Sequence, residues 1–316
     1  MKKILQLFIG WLVLCGMFSS CSDKKGTKAN WLDDYKLFVA VDESFRPIME
    51  EELNTYALKY PETTLVPTYC SEDSAFRLLK ADSVKMIIAT RGLSEAEKAY
   101  FKQHTYVPTQ MIIGYDALSL IVNKASADTL ITLDEIKGIV SGRITRWEQL
   151  AHHQQKGELR LVFDHSGSST VRYMRDSLNG GKPLSGNLFA QGDNKAVIEA
   201  VKADPTIIGV VGTDWLKKQG TAALSSFASL DVKTMMVSYF SGADEDFFRP
   251  YQYYIATGQY PLVRSVYVIE TDPRSSSPTK NFYFFLKSQN GQTILLNQSQ
   301  MLPYKRVQVK NVSIKK

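Results

Sequence analysis

Apolar residues along this chain gather into short, nearly continuous runs that alternate with stretches of helical spacing. Lys36-Leu37-Phe38-Val39-Ala40-Val41 is a β-rich run that stops at Asp42-Glu43-Ser44. From Phe45 the apolar positions Ile48, Met49, Leu53, Tyr56, Ala57 and Tyr60 recur in steps that predict a helix. Pro47 is tolerated there because it falls in the first turn, and Pro61 ends the element. A second strand is predicted at 64–66, a short helix at 73–79 and a third strand at 84–89, which stops at Thr90-Arg91-Gly92; another helix begins near Ser94. This βαβαβ rhythm with nearly unbroken apolar strands predicts a parallel sheet covered on both faces.

A second block opens with a strand at 117–122. Thr132-Leu133-Asp134-Glu135 reads as a capping box, with Ile136, Ile139 and Val140 as the buried stripe behind it and Ser141-Gly142 as the stop. A strand at 159–163 leads into Ser166-Gly167-Ser168-Ser169-Thr170-Val171-Arg172, which opens a further helix. Asp193-Asn194 caps a helix carrying Val197, Ile198 and Val201, and a strand at 207–212 follows. A strand at 265–269 and two helices near 281–287 and 291–298 close the chain. Segments from both ends of the chain around a self-contained middle predict two α/β lobes, 35–113 plus 262–316 and 114–261. The cleft between such lobes is where a small ligand would sit.

The N-terminus changes the picture of where this fold operates. Lys2 and Lys3, the apolar run 4–17 and the small residues before Cys21 have the three parts of an export signal over 1–20. The run is short for a bilayer span, so it is excluded from the fold. Cys21 stands where the lipobox cysteine of bacterial lipoproteins stands, and 21–34 reads as a lipid-anchored tether. Of Cys15, Cys21 and Cys70, only Cys70 is left once the first is removed and the second acylated, so an intramolecular disulfide is excluded. One cysteine and few histidines leave no credible zinc site, and His152-His153 reads as a solvated loop. No cofactor is expected. The formal charge of +6, falling to +4 once Lys2 and Lys3 are removed, could draw small anions. The basic residues are spread among acids rather than clustered, which argues against nucleic acid.

The candidate chemistry lies at the strand-to-helix turns. Backbone N–H groups at a helix N-terminus have no intrahelical partner, and the peptide dipoles there favour negative charge. Ser168, Ser169 and Thr170 add hydroxyls, and Arg172 adds a guanidinium fork suited to an oxyanion. The plainer alternative is that Ser168 or Ser169 merely caps the helix.

Several strings, in this order and spacing, resemble the phosphate-binding proteins of bacterial ABC importers, within the type II periplasmic binding fold. They are the stretch from Leu133 to Trp147, the Ser-Gly-Ser-Ser-Thr segment, Ile208-Gly209-Val210-Val211-Gly212, Tyr260-Pro261-Leu262-Val263-Arg264, and Ser288-Gln289-Asn290-Gly291-Gln292 followed by Leu302-Pro303. The resemblance implies three anion-contacting turns: Ser44 and the backbone of Phe45 beside Asp42-Glu43; Thr90 with Arg91; and Ser168, Ser169, Thr170 with Arg172. It further implies inorganic phosphate as ligand, an ABC permease and its ATPase as partners, a periplasmic or cell-surface location on a lipid anchor, and no covalent chemistry. A monomer is expected. Two departures stand out. The first turn carries Asp42-Glu43 where the family has small residues, and Asp164 holds the place of the family's arginine, a charge that Arg172 is inferred to supply.

Acids beside an anion site need a reason. Phosphate near neutral pH carries a proton that a carboxylate can accept, whereas sulfate has none, so a buried acceptor rejects sulfate. Asp42, Glu43 and Asp164 are candidates, with Asp42 preferred; capping or ion pairing with Arg91 or Arg172 is the alternative for each. Two other functions stay open. One is binding or sensing of another oxyanion or a phosphorylated small molecule. The other is a serine hydrolase using Ser168 or Ser169 with His165 and Asp164, which lacks the closing glycine of a nucleophile elbow.

Overall fold

The computed structural model describes residues 35–185, 188–216, 227 and 231–307. The expected signal, the tether and Cys21 lie outside these residues. From Lys36 onward the chain forms one packed unit.

Twelve strands among the described residues organise it: β1 (Lys36–Asp42), β2 (Thr64–Cys70), β3 (Met86–Ala89), β4 (Thr109–Asn123), β5 (Leu130–Thr132), β6 (Arg160–Phe163), β7 (Leu188–Ala190), β8 (Ile207–Gly212), β9 (Val232–Thr234), β10 (Met236–Ser238), β11 (Val263–Glu270) and β12 (Leu302–Pro303). The main sheet runs β2-β1-β3-β11-β4-β8-β6-β7, with β9 and β12 also on β4, and β5 pairs separately with β10. β1, β2 and β3 are parallel, as the βαβαβ rhythm predicts. β6 is parallel to both β7 and β8. β11 is antiparallel to β3 and β4, and β4 to β8, so the sheet as a whole is mixed.

The apolar strand runs are continuous because each face of the sheet is covered, and the two-residue period sends neighbours to different cores. Leu37, Val39 and Val41 of β1 join one cluster with Met86, Ile88 and Phe282, while Ala40 joins another with Ile87, Ala89, Phe76 and Leu79. The other half repeats the pattern. Leu161, Phe163, Ile208 and Val210 face a core centred on Trp147, and Val162, Ile207 and Val211 face Val197 and Val201. β2 is the exception: it is an edge strand, and most of its residues are partly or fully exposed.

One strand differs from expectation. β4 begins at Thr109 rather than at 117 and runs for 15 residues, pairing first with β11 and β12 and then with β8 and β9. It therefore carries chain from one pair of cores to the other. Gly114 sits within it because a Cβ there would come within 2.9 Å of the Leu302 carbonyl oxygen.

Caps follow local chemistry. Thr132 and Glu135 form the expected capping box, and the helix Leu133–Ser141 ends on Gly142 at φ 81°. Asp193 caps the helix Asn194–Ala203 by accepting from Ala196 N. Ser94 and Glu97 form a second capping box on the helix Glu95–Gln103.

Candidate functional site

β1 and β3, parallel to each other, and β6, parallel to its neighbours β7 and β8, end in the predicted turns, and ligand crevices in α/β sheets lie outside the carboxyl ends of parallel strands. After β1, the Asp42 side chain accepts from Ser44 N at 2.9 Å and shapes a 3-10 turn over Glu43–Phe45 that leads into the helix Arg46–Lys59. After β6, Ser168 caps the helix Ser169–Tyr173, accepting from Val171 N at 3.2 Å; the helix continues as a π turn over Met174–Leu178. The cap falls to Ser168, and Ser169 and Thr170, both fully buried, take no part in it.

Ser169 is one meeting point. Its Oγ lies 3.4 Å from Ser44 Oγ and accepts from Arg264 Nη1 at 2.8 Å. Arg264 also donates through Nε to Asp116 Oδ2 at 2.9 Å, and its guanidinium lies 5.2 Å from the ring centroid of Phe45. Both members of that ion pair are buried. Thr90 is the second meeting point. Its backbone N and its Oγ1 donate to Glu72 Oε1 at 2.7 and 2.8 Å. Arg172 donates through Nη2 to Thr90 Oγ1 at 2.6 Å and through Nε to Glu72 Oε2.

Ser44, Phe45, Asp42, Ser169, Thr90 and Arg172 are therefore gathered in one region. Arg91 is not among them. Its two terminal nitrogens donate to Glu97 at 2.7 and 2.9 Å, and it stacks over Phe76 at 3.6 Å, because the neighbouring capping box brings the Glu97 carboxylate within reach. Nor do Asp42, Glu43 or Asp164 pair with Arg91 or Arg172. Those arginines take Glu97 and Glu72 instead, and Glu43 accepts from Asn194 Nδ2.

Among the described residues, buried polar atoms without a hydrogen-bond partner include Asp42 Oδ2, both Asp164 carboxylate oxygens, Thr170 Oγ1 and Arg264 Nη2 here, and both Glu52 carboxylate oxygens, Tyr69 OH and Thr271 Oγ1 elsewhere. Buried polar groups are nearly always satisfied, so those near Arg264, whose charge acts on Asp42 and Asp164, call for a reason. Burial pushes the Asp42 carboxyl up to about 6, helped by the Glu72 charge and opposed by Arg264. Burial pushes Glu43 up to about 7 against the Asn194 hydrogen bond. Burial also raises Asp164 and Asp116, with Arg264 pulling both the other way. Burial thus shifts all four carboxyls toward the protonated form, which can donate a hydrogen bond where the ionised form only accepts.

Arg264, Asp116 and Glu72 did not emerge from the sequence as site residues. Arg264 had a signal, since a charged residue at an inward position of an apolar strand demands a partner. Glu72 had none, because an acid in the first turn of a helix is ordinarily explained by the dipole. The hydroxyls of Ser168 and Ser169 meet Val171 N, Ser44 Oγ and Arg264 Nη1, and His165 meets Ser168 only through the backbone, its carbonyl accepting from Ser168 N at 3.1 Å. No cluster of metal-ligating side chains occurs among the described residues, and no described helix is long and apolar enough to cross a membrane.

Comparison with known proteins places this geometry in context. A domain family described as the PBP superfamily matches residues 25–289. The phosphate-binding protein PstS of Bacillus subtilis is 24% identical over 186 residues, 59% of this chain, and the match spans only 54% of that relative's length. PstS of Borreliella burgdorferi is 22% identical over 307 residues, covering 94% of this chain and 98% of the relative. Among solved structures, an ABC-type phosphate transport receptor from Vibrio cholerae superposes with a TM-score of 0.62 at 21% identity, over 85% of this chain and 100% of that one. At that identity the structural likeness establishes the fold.

Proposed function

Because this chain belongs to the PBP superfamily, whose domain spans most of its length, we propose that it captures inorganic phosphate in the cleft around Ser169 and Thr90 and passes it to an ABC permease driven by its ATPase. The observation that carries the reading is the meeting of Ser44 and Ser169, hydroxyls from turns on different cores, with Arg264, whose Nη2, like Asp42 Oδ2 and Thr170 Oγ1, is buried without a partner. The relatives named above are phosphate-binding and phosphate-transport proteins, which supports the same ligand here. The ligand set is Ser44, the Phe45 backbone, Thr90, Ser169 and Thr170 with the charges of Arg172 and Arg264, and Asp42 accepting a ligand proton. Ser168 acts through the cap. Arg91, tied to Glu97, is a reserve charge at the rim.

The chemistry is reversible capture without covalent change. Arg264 and Arg172 supply fixed positive charge in a region shielded from water, where a charge-assisted hydrogen bond is worth about twice a neutral one. Asp42 Oδ2 gives the discrimination: sulfate offers it no proton and leaves it unsatisfied, which can separate ligands by a factor on the order of 10⁴. Lobes at 35–113 plus 262–316 and 114–261 would close on the ligand. Export, acylation at Cys21 and anchoring of the monomer at the periplasmic face belong to the same proposal; a Cys21→Ser chain that still partitions with membranes would remove the anchor.

Titration calorimetry with phosphate and sulfate tests the function. Phosphate should bind at micromolar concentration or tighter and sulfate should not; a folded chain that ignores phosphate refutes the reading. A second reading, a different oxyanion or a phosphorylated small molecule, draws support from the surplus of carboxylates over arginines. A panel of phosphonate, molybdate and phosphate esters separates it from the first.

A further inference from the structure

The Glu72 carboxylate is buried, and it lies between two segments that belong to different cores. The helix Glu72–Lys80 packs through Ala75, Phe76 and Leu79 against Ala40, Ile87 and Ala89. The helix Ser169–Tyr173 packs through Val171 and Tyr173 onto the core that contains Trp147. Glu72 bridges them, taking Thr90 N and Thr90 Oγ1 on one oxygen and Arg172 Nε on the other. A backbone N–H, a hydroxyl and a guanidinium are the donors an oxyanion requires, and here the chain's own carboxylate fills them.

Helix capping does not account for this placement. Ser71 already caps the helix, accepting from Ser74 N at 3.2 Å, so the first turn needs nothing from Glu72. The carboxylate is spent on Thr90 and Arg172 instead. Nearby contacts show the same closure: Asp73 N donates to the Gly167 carbonyl at 3.4 Å, and a Cβ on Gly167 would lie 3.3 Å from Asp73 Oδ2. The first turn of one helix thus rests on the turn that leads into the other.

We infer that Glu72 is an internal anion that stands in for ligand oxygens on Thr90 and Arg172, holding the cleft shut without a ligand and competing with any oxyanion that enters. The affinity consequence rests on the phosphate reading above; the closure does not. An incoming anion reaches Thr90 and Arg172 only when Glu72 releases them, and until then two negative groups would share one pocket. The Glu72 charge also helps burial to push the Asp42 carboxyl up, so the two carboxyl groups lie close enough to act on each other. Glu72 therefore sets a threshold: weakly charged ligands fail to displace it, and a strongly charged oxyanion succeeds.

The experiment joins small-angle scattering of the ligand-free chain to phosphate calorimetry, on the wild type and on Glu72→Gln. The amide keeps an oxygen for Thr90 but cannot neutralise Arg172. The ligand-free wild type should be compact, with no further contraction on adding phosphate, and an extended wild type overturns the inference with no variant needed. Ligand-free Glu72→Gln should have a larger radius of gyration that shrinks with phosphate, and should bind phosphate at least tenfold more tightly. A variant that stays compact when empty overturns it, and so does one that binds phosphate no better than a wild type that binds it. If neither chain binds phosphate but Glu72→Gln opens, the phosphate reading falls and the internal anion stands. Should the Gln variant not fold, Glu72→Ser is read by the same criteria.

Discussion

Replacing Asp42 by Asn should stabilise the ligand-free protein at pH 8 and leave it nearly unchanged at pH 4. Asp42 is buried, one oxygen accepts from Ser44 N, and the other has no partner among the described residues. Burial raises its carboxyl from the ordinary 3.8 to about 6. A group whose folded value is raised contributes stability in full below its unfolded value and loses it as pH rises through the folded one. The loss for Asp42 therefore runs between about pH 4 and pH 6. At about 1.36 kcal/mol for each pH unit of difference, it reaches at most about 3 kcal/mol, less where neighbouring groups share the titration. Asparagine keeps the bond to Ser44 N through its carbonyl oxygen and never ionises. Urea unfolding of both chains at several pH values from 4 to 8 measures the difference. It should be small at pH 4, grow through pH 5 and level off above pH 6, in favour of the variant. A difference that is flat across this window, or that favours wild type at pH 8, refutes the assignment of Asp42 as a destabilising buried carboxyl held for function.

Arg264→Met removes the partner of a buried Asp116 and should cost about 3–5 kcal/mol by urea unfolding, since an uncompensated buried charge is left behind; a loss under about 1 kcal/mol would mean that Asp116 is neutral in the fold. Gly209→Ala places a Cβ 2.7 Å from Val201 Cγ2 and 2.9 Å from Ile121 Cγ1, so the helix Asn194–Ala203 must lift from β8, lowering stability by about 1–3 kcal/mol. Arg172→Ala should weaken phosphate binding by more than about tenfold, the scale of one charge-assisted hydrogen bond. A change within a few-fold in calorimetry would take Arg172 out of the ligand set.

Strands and caps were legible in the sequence because their causes are local. Thr132 and Glu135 sit three residues apart and satisfy each other's neighbours, and nothing distant had to agree. The start of β4 was not legible. Gly114 and Asp116 look like the end of something, yet Gly114 is where Leu302 crosses and Asp116 is where Arg264 docks. That pair lies in register across β4 and β11, 148 residues apart, so only the strand pairing brings them together. Arg91 shows the converse case, a charge whose partner is local although Glu72 also acts on it. Its place after β3 suggested an anion contact, but Glu97 stood six residues away with a carboxylate already oriented by its own capping box. A charge close to a suitable partner in sequence is easily claimed by it, whereas Arg172 and Arg264 reach across the fold.

The same contrast bears on ligand choice. Hydroxyls and arginines at helix starts can be read from sequence, and donors alone suit any oxyanion. The acceptors would decide among oxyanions; Asp42 and Asp164 could be named from the sequence, whereas the parts of Glu72 and Asp116 became visible only in three dimensions. Glu72 already occupies Thr90 and Arg172, Asp116 occupies Arg264, and Asp42 and Asp164 retain unpaired oxygens. A ligand that only accepts hydrogen bonds would leave those oxygens as they are and add its own negative charge beside them. One that also carries protons on its oxygens satisfies them. Under the proposed function, the region would favour an anion that is still partly protonated where it binds, as inorganic phosphate is and sulfate is not, and the carboxylates that depart from the family pattern would supply that choice.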